Sequence, residues 1–437
     1  VKAIIGVVIL GIVGLIGLLA MSARPAVRVE PSVKSIGVST PLKAEATGAH
    51  GIRRVTAKVE QNGREYTVFE QNWPSHRMLF WRGKPAPVTV AFEAGKNKAP
   101  DLKEGQARLI VEAVSNDFAG KTATVASDVL VVLAPPRVVP DDLQHYINQG
   151  GMELVTFTTS GSVADSGVKA GKSTFRSFPL PGKTPEQRFA MFAYPWDLPP
   201  DAAPMVYARN QAGTEVTGRF WFKLFPKTFR VRDLEINDAF LEKVVNQIDP
   251  TGQLAPGPDL LSRFLKINGE LRRKNNQQLA DLREKTEPKV LWNGPFLHWG
   301  KEESYFADVR NYIYKGKKVD QQVHLGFDLS DVQNAPVKVA NDGRVIYAAD
   351  LGIYGNCAVV DHGYGLQSIY GHMNRFDVKP GDMVKKGQSL GVAGSTGLAG
   401  GVHVHFSMQI DGTQVSAREW WDDHWIHDRI MSKLAPQ

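Results

Sequence analysis

The sequence predicts a mainly β protein with an N-terminal membrane helix, two immunoglobulin-like β-sandwich modules, a helical segment and a C-terminal β-sheet domain. Three observations carry that prediction. Short runs of alternating apolar and polar residues, separated by polar turns, fill residues 26–134 and 137–230. Three- and four-residue spacing of apolar positions sets in at residues 231–289. Beyond residue 290, apolar runs broken by glycine, such as VHLGFDLS and GVHVHFSMQI, read as strands again.

Residues 1–25 form the first element. Positions 3–21 are apolar or glycine without interruption, close to the ~20 residues that a helix needs to cross a bilayer. A cleaved signal usually has an apolar core of only about 7–15 residues, so an uncleaved anchor is the first reading. The small residues around Ala20 and Ser22 keep a cleaved secretion signal as the alternative. Lys2 on one side and Arg24, Arg28 and Lys34 on the other do not follow a simple positive-inside count. The bulk of the chain is placed outside the cytoplasm, in the periplasmic space of the cell envelope, because of the substrate inferred below.

Residues 26–134 contain the runs VTAKVE, EYTVFE, VTVAFE and ARLIVEAV, whose number and spacing suit an immunoglobulin-like sandwich. Asn62-Gly63 between two of them is a two-residue hairpin signal. The prolines of APPRVVPDD, around residues 135–142, mark a linker. A second β-rich module follows at 137–230, in which the alternating aromatics of RFWFKLF read as core packing in preference to a sugar-stacking face. At 231–289, DAFLEKVVNQI and DLLSRFLKINGELRRKNNQQLADLRE are helices separated by PTGQLAPGP. The segment REWWDDHWIHDRI near the C-terminus reads as an amphipathic helix that packs its tryptophans and leaves His424 and His427 at a polar edge.

Composition bounds the function. With 437 residues, 43% hydrophobic and 22% charged, the chain is ordinary folded material of about three domains. Its single cysteine, Cys357, excludes an intramolecular disulfide and is read as a small core residue. The net charge is +7, yet residues 291–437 hold 14 Lys and Arg against 16 Asp and Glu. The basic excess therefore lies in the first 290 residues, suited to an anionic wall or membrane surface. Nucleic acid is excluded as a partner, since no groove-reading motif is present.

The chemistry concentrates in the last third. Within His324-x-x-x-Asp328, read as one strand, His324, Gly326 and Asp328 share a face. The same rule puts His403 and His405 of His403-x-His405 on one face, with Val404 and Phe406 on the other, in a core. Two imidazoles and a carboxylate with a fourth position left for water make an open, catalytic zinc site. HExxH is absent, which removes the usual glutamate base and leaves histidine for that role. Tyr370-Gly371-His372 lies between the two words. His362, at a turn in DHGYG, reads as structural or groove-lining, and GSTG at 394–397 as a pliable loop that brings His403 in.

The order HxxxD, YGH, HxH resembles the M23 (lysostaphin/LytM-like) family of zinc metallopeptidases, which cut peptidoglycan peptides. The resemblance covers roughly residues 290–425 and includes Asp342-Gly343-Arg344-Val345, Gly355-Asn356 and VKPGDMVKKGQSLGVAGSTG. It implies a barrel-sandwich-like catalytic domain at 290–437 that binds Zn2+ through His324, Asp328 and His405. His372 and His403 are implied as the catalytic histidines, one activating water and one stabilising the oxyanion, with either order open. Many members carry a tyrosine shortly before HxxxD. KKVDQQV stands there in this chain, and Tyr312 and Tyr314 are the nearest tyrosines. The resemblance further implies that the helical segment lies beside the catalytic groove and restrains access.

Two other readings differ in class. A non-enzymatic LytM-like regulator would activate a separate cell-wall amidase, but such regulators typically lose zinc ligands that this sequence keeps. VKPGDMVKKGQSLG also resembles lipoyl and biotinyl hairpins, yet no modification-lysine word occurs in it. The expected partners are thus peptidoglycan, a membrane contacted through the N-terminal helix, and a regulatory protein whose identity the sequence does not specify.

Overall fold

The computed structural model describes residues 2–76, 80 and 86–434 and separates into two compact units. One comprises residues 1–137 with 160–165 and 208–216; the other comprises 138–159, 166–207 and 217–437. The chain is mainly β, with an apolar N-terminal helix and one helical segment ahead of the C-terminal sheet.

In the first unit the helix Lys2–Met21 has a side-chain surface that is apolar throughout residues 4–21, none of it buried within the protein. Twenty residues at ~1.5 Å each span about 30 Å, the thickness of a bilayer's hydrocarbon core. After it come a three-stranded sheet, Ala26–Glu30, Thr40–Thr47 and Val88–Ala94, and a five-stranded sheet that includes Ile52–Gln61 and Arg64–Asn72. The alternation seen in sequence is the burial pattern observed: Leu42, Ala44 and Ala46 point inward and Lys43 outward. Asn62 and Gly63 both take positive φ, 52° and 76°, which closes the hairpin that pairs Gln61 with Arg64.

In the second unit, the proline-bearing stretch expected to be a linker contains a strand, Arg137–Pro140. It lies at a sheet edge, where a proline's missing N–H costs no ladder bond. Beyond it, Met152–Ser160 pairs antiparallel with Gln187–Ala193. The aromatic run 220–225 is split: Phe220 is buried, but Trp221 is 74% exposed, so core packing accounts for only part of it.

The C-terminal sheet runs in the order Glu302–Ser304, Phe327–Ser330, His403–Ile410, Leu366–Phe376, Asn356–Gly363, Gly343–Asp350, Met383–Val384. Its core is continuous with that of the preceding β region: Leu154, Phe157, Phe189 and Phe192 belong to the same buried cluster as Phe327, Phe406 and Trp420. Polar contacts reinforce the junction. Arg176 forks onto Asp411 at 2.7 and 2.9 Å, and the buried Glu419 accepts from Met152 N and Asn148 Nδ2 at 2.9 and 2.8 Å. Burial pushes the Glu419 carboxyl up to about 7.

The helical segment comprises Asp238–Ile248, capped by Asn237, then Leu260–Lys266, capped by Asp259, a π-helical turn Ile267–Leu271, and Arg272–Asp281. Leu241, Val244, Val245, Phe264 and Leu279 pack with Ile353, Cys357, Val359 and Ile369 of the sheet domain. Cys357 is fully buried there.

His362 is structural. Its Nδ1 lies 2.7 Å from the Asp342 carbonyl oxygen, its Nε2 2.7 Å from Ser368 Oγ, and its ring meets Phe296 edge-on. Burial lowers its pKa from 6.5 to about 4. A depressed histidine pKa means that the stability present above pH 6.5 is lost as pH falls toward 4. The wild type should therefore lose about 2 kcal/mol more than His362→Gln between pH 7 and ~4.5. Denaturant unfolding of both proteins at the two pH values checks this; equal losses would contradict it.

Candidate metal centre

Three neighbouring strands and one strand end build the site. Phe327–Ser330 pairs antiparallel with His403–Ile410, so that Asp328 sits directly opposite His405. On the other flank Gly371 sits opposite His405. Val404 and Phe406 go into the core, as strand parity requires, and His403 and His405 face the groove.

His324 does not lie on the same strand as Asp328. It ends Lys317–His324, which belongs to a separate three-stranded sheet, and the chain breaks at Leu325-Gly326 before entering the large sheet. The break requires a glycine. A Cβ at Gly326 would lie 2.6 Å from Cε1 and Nε2 of His405 and 2.7 Å from the Phe406 carbonyl oxygen, so only glycine lets the chain pass the imidazole.

The outcome is a cluster of three buried donor atoms. His324 Nε2 is 2.9 Å from Asp328 Oδ1 and 2.9 Å from His405 Nδ1, and the latter is 3.3 Å from Asp328 Oδ1. Bonds of ~2.0–2.1 Å to a tetrahedral ion put donors about 3.3 Å apart, close to these edges. His324 Nδ1–H donates to the Tyr305 carbonyl oxygen at 3.1 Å, which leaves the Nε2 lone pair pointing inward. Burial holds His324 neutral, down to about 4, against the pull of Asp328. Burial by itself would raise Asp328, but His324, His403 and His405 outweigh it and hold its carboxyl well below the usual range. Arg310 clamps its other oxygen at 2.6 Å. Two neutral imidazoles and one oriented carboxylate fit zinc, and with only three protein donors a position remains for water or substrate.

Two more histidines stand beside the cluster. His403 Nδ1–H donates to the Gly401 carbonyl oxygen at 3.0 Å, which turns Nε2 toward Asp328 Oδ1, 3.4 Å away. His372 Nδ1–H donates to the Thr396 carbonyl oxygen at 2.8 Å, and the two rings are 4.8 Å apart. Thr396 belongs to the glycine-rich loop, which also bridges Gly394 to His403. Since Tyr370 faces the core, simple alternation would send His372 there too. Instead His372 has φ +63°, a left-handed conformation that re-aims its ring to the groove. Burial, with help from His403 and His405, holds its pKa well below 6.5. For His403, burial is outweighed by Asp328, and the pKa is raised; a cation on Asp328 would weaken that pull.

The groove holds about 450 Å³. One wall is the helical segment, which contributes Phe240, Arg272 and Asn276. Tyr312 lines the groove and Tyr314 does not; the Tyr314 hydroxyl is engaged by Asp238 instead. Tyr354 and Arg310 also line the groove and touch the cluster. Tyr354 packs its ring 5.3 Å from that of His405 and directs its hydroxyl to Asn276 Oδ1 at 2.9 Å; its signal was its place beside Gly355-Asn356. Arg310 had no local signal. His424 and His427 are exposed and outside the groove, while Trp420 is buried.

Comparison with known proteins falls on this region. Residues 322–417 match the family model described as peptidase family M23. Over 95 residues the chain is 33% identical to DD-carboxypeptidase/endopeptidase Mpg of Neisseria meningitidis serogroup B, covering 22% of each chain. It is 35% identical over 95 residues to the murein hydrolase activator EnvC of Escherichia coli, covering 22% of this chain and 23% of that one. A crystal structure of a putative M23 peptidase from Pseudomonas aeruginosa aligns over 63% of this chain and 94% of its own, at 19% identity and a TM-score of 0.37. The chain thus spans about a fifth of the length of the curated relatives it matches. Within that span the five residues of the cluster, His324, Asp328, His372, His403 and His405, all fall inside a peptidase family M23 domain at the C-terminal end of this chain.

Proposed function

We propose that this chain is a zinc metalloendopeptidase that hydrolyses peptide cross-links or stem peptides of bacterial peptidoglycan. The observation that carries the reading is the convergence of His324 Nε2, Asp328 Oδ1 and His405 Nδ1 to within 3.3 Å beside two further histidines. In this reading the first three residues hold the metal, and His372 and His403 are catalytic. Zinc in such a site supplies Lewis acidity, which polarises a peptide carbonyl and acidifies water. The chain's own groups do the rest. His372 and His403, each anchored by its Nδ1–H on a backbone carbonyl, present Nε2 to the groove. One accepts a proton from the attacking water; the pair returns a proton to the amine as the C–N bond breaks. Arg310 and Tyr305 hold Asp328 and His324 in register without touching substrate.

The likeness to a hydrolase activator raises a non-catalytic reading, in which the same fold binds a cell-wall amidase. Retention of all three donor atoms and both groove histidines favours hydrolysis. The apolar helix Lys2–Met21 supports an envelope location, with the chain anchored in the membrane and the groove on the side where the wall lies.

Three-donor sites lose most of their affinity when one donor goes. His405→Ala should fall from about one zinc per chain to a small fraction, read by elemental analysis; full zinc in that variant would place the ligands elsewhere. His372→Ala should keep its zinc while release of soluble muropeptides from purified sacculi drops by ~10²–10⁴. Loss of metal together with activity would remove His372 from its assigned role. Wild-type protein with full zinc that releases nothing from sacculi would overturn the endopeptidase reading itself.

A further inference from the structure

The groove that holds the histidine cluster also carries a cation with no acidic partner among the described residues. Two arginines line the groove, and Arg310 is neutralised by Asp328. Arg272 forms no ion pair among the described residues, although it is half-buried. Glu235, also on the groove wall, makes none with it.

Arg272 is nevertheless held in place. It follows the π-helical turn Ile267–Leu271, a local widening of the kind that recurs at functional sites. Its Nε–H donates to the Asn268 carbonyl oxygen at 3.1 Å and one Nη2–H to Asn268 Oδ1 at 2.6 Å. Asn268 is itself fully buried and fixed by its Nδ2–H bond to Asp320 Oδ2 at 2.7 Å. Those contacts use two of the five guanidinium N–H groups. The end-on edge, formed by Nη1 and the second Nη2–H, makes no hydrogen bond among the described residues. One helical turn on, Asn276 faces the same groove and receives the Tyr354 hydroxyl, whose ring lies against His405. A fixed, planar, unneutralised fork in a groove matches a carboxylate, which it binds bidentately.

We propose that Arg272 is a specificity-determining residue that receives a free carboxylate of the peptide bound in the groove. The inference rests on the endopeptidase reading and narrows its substrate class to peptides that carry such a carboxylate. Either the α-carboxylate at the end of the stem or a side-chain carboxylate of its diamino acid supplies the same chemistry.

The 437-residue chain in detergent micelles, loaded with zinc and carrying His372→Ala to prevent turnover, is titrated calorimetrically with three synthetic cross-linked stem peptides. One keeps all its carboxylates, one is amidated at the terminus and one at the diamino-acid side chain. The intact peptide should bind at least ~10-fold more tightly than one of the amides, and which amide is weak identifies the source. Adding Arg272→Gln should abolish that difference with zinc content unchanged, and Arg272→Lys should restore part of it. Equal binding of all three peptides, or an equal loss on all three in Arg272→Gln, overturns the inference. In either case the endopeptidase reading stands if the protein without His372→Ala still digests sacculi. Failure on sacculi sinks that reading alone when the binding difference persists.

Discussion

Antiparallel pairing of Asp328 with His405 is the constraint on which the rest of the site depends. A carboxylate and an imidazole on opposed residues of adjacent strands have a fixed separation, because the ladder fixes the Cα positions and both side chains leave the same face. His324 then needs only one sharp break in the chain to reach them, and Gly326 supplies it at the point where the His405 ring occupies the room of a side chain. The five histidine and aspartate side chains are held mostly by backbone carbonyls and neighbouring strands, so the site is rigid before any ligand enters.

The second feature is the extent of the supporting core. The sheet that carries the site buries one face against the aromatics of the preceding β region and another against the helical segment. Phe178 and Phe189 both place their rings 4.9 Å from Tyr364, and Lys433 near the C-terminus pairs with the buried Glu153 at 2.9 Å. The helical segment therefore acts as a fixed wall of the groove: swinging it away would expose Leu241, Val244, Val245 and Phe264 to water at roughly 1.5–3 kcal/mol for each large side chain. It meets the groove with Phe240, Arg272 and Asn276 in fixed positions.

Much of this was legible in the sequence, and the rest was hidden for identifiable reasons. Period-two alternation placed His403 and His405 on one face and Phe406 in the core. Three- and four-residue spacing located the helix Asp238–Ile248. The reading of VHLGFDLS as one strand failed because the chain leaves one sheet for another at Leu325-Gly326, beside a ring about eighty residues away in the chain. Parity likewise sends His372 to the wrong side, since its left-handed backbone comes from tertiary surroundings and leaves no mark in YGH. Prolines at 136 and 140 looked like a break because an edge strand tolerates what an interior strand does not. Arg310 was invisible for a different reason: a lone arginine in a strand becomes meaningful only when its neighbour across space is a buried carboxylate such as Asp328.

The shared core has a consequence for moving the site into another chain. The stretch that resembles known peptidases is about 95 residues long, but its inner surface is shaped by Phe189, Phe192 and Leu154, which lie far outside that stretch. Recombination that cut at the borders of the recognisable segment would leave an apolar face without its complement on both sides of the cut. A transplant that kept this core intact would carry residues 138–159 and 166–207 along with the sheet. The β region ahead of the matched segment is, in this chain, half of the core on which the candidate site rests.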